Sequence, residues 1–158
     1  MAEYVTLKKN DGTIIYPQVG DGTVTSSKLD FSTFGVSATV DGPTSTVSLS
    51  NGATWASVDM YSGTANLDAG VYLVVTTNSI VTFSAGGEQE WASVLVDGVT
   101  VAGTAIAYFT GAYPPANPIG IATITTNGNH TVKYQLGAQG NRTCTLYAGS
   151  KIHFIRIG

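Results

Sequence analysis

Six Asp-Gly or Asn-Gly pairs punctuate the chain, at Asp11-Gly12, Asp21-Gly22, Asp41-Gly42, Asn51-Gly52, Asp97-Gly98 and Asn127-Gly128. Each offers successive residues that tolerate positive φ, the geometry of the tight turns that reverse an extended strand. Between them lie short runs rich in Val, Ile, Thr and Tyr, which suit a pleated, half-buried surface. This punctuation predicts an all-β, antiparallel fold. One or two helical turns are expected around Ser26 to Phe34, opened by a capping Ser and closed by Gly35.

Two hairpins are expected. Val94 to Val96 and Val99 to Val101 flank Asp97-Gly98, and Ile121 to Thr126 and Thr131 to Leu136 flank Asn127-Gly128. In the last of these runs Val132, Tyr134 and Leu136 alternate with Lys133 and Gln135, the pattern of a strand with one dry and one wet face. Two other runs break that pattern. Val71, Tyr72, Leu73, Val74 and Val75 are apolar on both faces, and so is most of Ile152 to Ile157, with Phe154 on one side and Ile155 and Ile157 on the other. A two-layer antiparallel sandwich wets one face of each strand, so such runs need a second cover. A neighbouring subunit is the simplest cover and makes these eight residues the candidate interface. A loop or the N-terminal segment is the alternative.

At 158 residues and 16.3 kDa the chain suits one domain with a short appendage. Residues 1–35 hold a hairpin-like unit around Asp11-Gly12 and the short helical piece, 36–54 form a polar linker with the first strands, and 55–158 form the main domain. Thirty-five residues bury too little surface to fold alone, so the first segment must dock onto something. Charged residues make up 11% of the chain, against about 25% in an ordinary soluble domain. Few charges then need desolvating when copies meet. The net charge of −3 has no basic half, and no Lys/Arg cluster exceeds Lys8-Lys9, which argues against nucleic acid. The opening residues lack a signal peptide's basic start and apolar run, and no stretch approaches the ~18 apolar residues of a membrane helix. Synthesis in a cytosol and no membrane insertion are the expectations.

The residue types that carry chemistry are sparse. Cys144 is the only cysteine, which rules out an intrachain disulfide, and its alternating neighbours make it a packed residue. His130, in a turn, and His153, in the last strand, come with no nucleophile motif. Glu88 and Glu90 are two residues apart, which would place them side by side and not across a sugar, so a solvated loop rim is the better reading. No metal-ligand spacing or phosphate-cradling glycine motif is present, so no catalytic residue, cofactor or metal is expected. What remains is a set of aromatics near rigid loops, Trp91, Tyr108 and Tyr113, the last opening a Pro-rich stretch to Pro118. Such residues commonly stack on sugars or grip protein partners.

Residues Asp68 to Val74, with Phe83 downstream and Tyr147 to Ile152 near the end, resemble the tumour-necrosis-factor-like and complement-like jelly rolls. The resemblance covers roughly residues 55 to 158 and implies a trimeric jelly-roll head. The opening, with Tyr4, Val5, Leu7, Ile14, Ile15, Tyr16, Leu29, Phe31 and Phe34 as its apolar residues, resembles the N-terminal attachment segment of bacteriophage fibre and appendage proteins. Together the resemblances imply a non-enzymatic homotrimeric virion protein, made in the host cytoplasm. Residues 1–35 would fix it to capsid, tail or baseplate, and the head would be exposed to a host-surface glycan or protein. A monomeric carbohydrate-binding sandwich using Trp91 and Tyr113 is the alternative.

Overall fold

A computed structural model describes residues 7–8, 14–15, 35–85, 89–106 and 112–158. The chain divides into two units, Met1–Phe31 and Ser32–Gly158. In the first, β1 (Leu7–Lys8) and β2 (Ile14–Ile15) pair antiparallel, Leu7 opposite Ile15 and Lys8 opposite Ile14. The helical turns expected around Ser26 to Phe34 fall outside the described residues.

The second unit is built from β3 (Val36–Asp41), β4 (Val47–Ser50), β5 (Ala56–Leu67), β6 (Gly70–Thr77), β7 (Val81–Phe83) and β8 (Glu90–Val96), followed by β9 (Val99–Ile106), β10 (Ile119–Ile124), β11 (Gly128–Ala138), β12 (Thr143–Leu146) and β13 (Lys151–Arg156). All pairings are antiparallel, and no helix occurs among the described residues. Five pairings nest inside one another: β3 with β13, β4 with β12, β5 with β11, β6 with β10 and β8 with β9. The chain thus runs as one long folded hairpin that is then rolled up, which is the jelly roll. Rolling joins β13 to β6 and β11 to β8, giving one eight-stranded sheet in the order β3-β13-β6-β10-β9-β8-β11-β5.

That sheet bends into two layers at β10 and β9, which among the described residues pair through Ile119 opposite Gly103 and Gly120 opposite Ala102. Its far edges, β3 and β5, come back together at Gly63, where a Cβ would sit 2.5 Å from Val40 Cγ1. A smaller sheet, β4-β12-β7, adds Val81, Phe83, Cys144 and Leu146 to the same core. Between the layers Tyr61 and Tyr134 stack at 5.5 Å, and Tyr72 meets Phe154 edge-on at 6.3 Å. Buried Tyr134 donates from Oη to Ala116 O at 2.7 Å, and the partly buried Tyr61 has its Oη 3.1 Å from Ser150 Oγ, so neither phenol is left unpaired. Burial pushes the Tyr61 phenol up to about 12.

The Asp97-Gly98 hairpin forms as expected, with φ of 49° and 82° at its two central residues. The Asn127-Gly128 hairpin does not. β10 pairs with β6 and β9, and β11 with β5 and β8, so this turn carries the chain from one layer to the other. A turn dipeptide reverses the chain, while the nested pairing decides which strand it meets.

Candidate functional site

Residue registers place every side chain on one face or the other of the two layers. On the outer face of β3-β13-β6-β10, one row runs Val36, Ile155, Leu73, Ile121 straight across the four strands. The next row runs Thr39, His153, Val75, Ile119. Thr123 lies opposite Val71. Asp41, Lys151 and Thr77 form a polar edge, with Lys151 Nζ 2.8 Å from Asp41 Oδ1. The centre of this face is therefore apolar. Val36, Ile119 and Ile121 leave 58%, 60% and 59% of their surface exposed.

The eight interface candidates divide by register. Tyr72, Val74 and Phe154 point inward and are fully buried, so they are unavailable to a partner. Val71, Leu73, Val75 and Ile155 point outward with the exposed Ile157 beside them. Sequence reasoning missed Val36, Ile119 and Ile121. The signal for β10 was present: bulky Ile119 and Ile121 alternate with small Gly120 and Ala122, giving two apolar faces of different depth. His153 sits among the apolar residues with both ring nitrogens engaged, Nδ1 3.0 Å from Thr39 Oγ1 and Nε2 3.2 Å from Thr77 Oγ1.

The outer face of β9-β8-β11-β5 has a different character. Trp91 lies opposite Gly137, and Gly137 lies opposite Ser57. A Cβ at Gly137 would overlap the indole, so the missing side chain lets Trp91 lie flat on the sheet and donate from Nε1 to Ser57 Oγ at 2.9 Å. Trp55 lies beside it, its ring 6.0 Å away and 20° from parallel. That separation makes an offset pair and extends one apolar platform. Trp55 has φ 59°, a left-handed backbone that bulky residues rarely adopt, at a cost of about 1–3 kcal/mol. Its loop is fixed by buried Asn51, whose Nδ2 donates to Ala56 O, Ala138 O and Gly140 O and whose Oδ1 accepts from Arg142 N–H.

The next row on this face holds Ser93, Gln135 and Asp59. Asp59 Oδ1 accepts from Gln135 Nε2 at 2.7 Å and Oδ2 from Lys133 Nζ at 2.6 Å. The hydrogen bond from Lys133, then that from Gln135, holds the Asp59 carboxyl below its ordinary 3.8. The side chains of Asp59 and Lys133 remain 39% and 38% exposed.

Of the expected aromatic loop set, Trp91 and Tyr113 share no ring contact among the described residues, because Tyr113 packs edge-on against Tyr147 at 5.6 Å. The Pro-rich stretch is tied down: Ile80 bridges Pro115, and Val81 N–H donates to Pro114 O at 3.1 Å. Tyr108 and Glu88 fall outside the described residues, as do Tyr4, Val5, Tyr16, Leu29, Phe31 and Phe34. Leu7, Ile14 and Ile15 lie on β1 and β2. Glu90 corrects the solvated-rim expectation: its register opposite Ala138 and Ile106 turns it inward, where it is 2% exposed. Cys144 is buried, and burial pushes its thiol up to about 11, away from nucleophilic chemistry. No group of three or more His, Cys, Asp or Glu that could hold a metal ion occurs among the described residues.

His130 clasps two turns. Its Nδ1 lies 2.7 Å from Asp97 Oδ2 and its Nε2 3.0 Å from Thr126 O, so both nitrogens face acceptors and the imidazolium fits best. The Asp97 hydrogen bond raises His130 above 6.5, and in return His130 holds Asp97 below 3.8. The histidine's stabilisation is therefore complete below its unfolded value and lost as pH rises through the higher folded one. Urea midpoints measured from acid to alkaline pH should fall across that range in the native chain and not in His130→Gln. Equal pH profiles for the two would remove the clasp from the account.

No protein-family model matches the chain, and no curated protein matches it by sequence. Solved structures do match. The VP2 subviral particle of infectious bursal disease virus shares the fold over 76% of the chain, with TM-score 0.50 and 15% identity. The chain spans 33% of that protein, about a third of its length. The Eiger TNF of S. frugiperda aligns over 77% of this chain and 91% of its own, with TM-score 0.46 and 15% identity. The EclA C-terminal domain, a sugar-binding protein, aligns over 72% and 80%, with TM-score 0.42 and 17% identity. At such identity the likeness to VP2 is one of fold alone.

Proposed function

We propose that the chain is a non-enzymatic structural protein of a virion, a bacteriophage fibre or decoration, that assembles as a homotrimer. Contact between copies would run through the outer face of β3-β13-β6-β10, and residues 1–35 would attach the trimer to capsid, tail or baseplate. The observation that carries the reading is the row Val36, Ile155, Leu73, Ile121 with Val75 and Ile119 beside it. An antiparallel layer in a free monomer alternates apolar and polar residues, so a face apolar across four strands is one that another surface covers. The polar edge at Asp41 and Lys151 fits an interface rim. The opposite layer, with its polar row, the exposed Trp55 and the partly exposed Trp91, is left free for adhesion.

Mass measurement in solution tests the assembly. The full chain at micromolar concentration is expected at three times its monomer mass, and a stable monomer would sink the reading. A chain lacking residues 1–35 is expected to trimerise still and to fail to join the particle.

A further inference from the structure

We propose that the Trp55–Trp91 platform and the neighbouring Asp59, Gln135 and Lys133 form a binding site for a neutral pyranose-containing glycan. A pyranose ring offers an apolar face of C–H groups and a rim of hydroxyls. The site offers both complements on one sheet face. The offset indoles supply a flat apolar surface, and Trp55 is 57% exposed. One register step along β5, from Ser57 to Asp59, the surface becomes polar. Two residues along a strand span about 6.8 Å, within reach of a ring stacked on the platform.

The polar row is set for hydroxyls. Each Asp59 oxygen accepts one hydrogen bond from within the protein and keeps a further lone pair for a sugar O–H. Lys133 has ammonium protons beyond the one given to Asp59, and the Gln135 carbonyl is free of that contact. The carboxylate and ammonium offset one another, so the row selects no charged ligand. Gly137, Ser57 and Ser93 keep the surroundings low, which leaves the indoles and the Asp59 group as the features that stand out. The backbone of Trp55 adds an independent observation. Glycine would adopt φ 59° without strain, and the exposed indole gains little burial to offset it. The proposal rests on the adhesive reading only in requiring this face to lie outside the subunit contact.

Trp55 and Trp91 are the only two tryptophans in the chain, so intrinsic tryptophan emission reports on this platform alone. The full chain would be screened on an array of neutral hexose and N-acetylhexosamine glycans. Retained glycans would then be titrated by fluorescence, with mass measured on the same sample. Saturable binding in the micromolar to millimolar range is expected, at least tenfold weaker in Trp55→Gly and in Asp59→Asn, with the Trp55→Gly melting temperature unchanged or higher. No glycan retained by the native chain overturns the site, as does affinity that survives both substitutions in folded protein. A trimer that binds nothing sinks the site and spares the assembly, whereas a monomer that binds does the reverse.

Discussion

Leu73→Asp combined with Ile121→Asp is expected to yield a folded monomer. Both side chains point outward and lie opposite one another on β6 and β10, so neither carboxylate enters the core. Ile121 is exposed and Leu73 partly so; the lost strand propensity costs about 1 kcal/mol, and the two carboxylates facing each other add up to about 1 kcal/mol more, which leaves the fold intact. In an assembly the same two groups would be desolvated at every subunit contact, at several kcal/mol per ion. A loss of only about 4 kcal/mol weakens association roughly a thousandfold. Sedimentation equilibrium with circular dichroism separates the outcomes. A surviving trimer would remove this face from the interface, and an unfolded chain would mean that the protein covers the face itself. Val74→Asp, one position along β6, is the contrast: Val74 has no exposed surface, so its substitution should unfold the domain.

The two doubly apolar runs show how far pattern reading reaches. Val71 to Val75 lies in β6 and Ile152 to Arg156 in β13, adjacent central strands of one layer, because continuous apolar sequence has no other comfortable place in a sandwich. Which of their residues face outward follows from a period of two once a single inward residue such as Tyr72 is known. Pairing is less legible. Asn127-Gly128 marks a reversal correctly, yet β10 and β11 separate into different layers, because long-range nesting sets strand partners. That is why Ile119 and Ile121 were missed as neighbours of Leu73 and Val75.

The second face was hidden for another reason. Trp91 stands out in the sequence, but its partner Trp55 follows a Gly-Ala-Thr turn with no periodicity, and its left-handed backbone accompanies a tertiary hydrogen bond from its N–H to Gln139 O. Asn51 reads as a turn residue, although its side chain joins the loop before β5 to the loop after β11. Glu90 departs from the expected loop rim because it is the first residue of a strand, where the alternation of Glu90, Ala92, Val94 and Val96 turns all four inward. Local composition identifies strands and turns. Contacts between residues far apart in the chain decide what a turn presents.

Gly120→Ala is expected to destabilise the domain by about 3 kcal/mol, a fall in melting temperature of roughly 10 °C for a chain of this size. An ordinary strand gains from this change, because alanine loses less backbone entropy on folding than glycine. Here the gain is overridden by contact. A Cβ on Gly120 would overlap the carbonyl oxygen of Val101 and lie 2.8 Å from Ala102 Cα. Those atoms have little room to withdraw: Val101 is held where the register against β8 shifts between Val94 and Leu95, and Ala102 is buried. Relief requires β9 to move off β10, at the two paired positions that, among the described residues, join the layers into one sheet. Gly103→Ala, next to this junction on β9, is the control. Its Cβ would meet nothing closer than Ala92 O at 3.8 Å, so it should change stability by less than about 0.5 kcal/mol. Equal melting temperatures for the two variants would show that the layers are held by the core and not by this junction. A large difference would mean that Gly120 is what allows one continuous sheet to wrap both sides of the core, presenting an apolar face on one side and the tryptophan platform on the other.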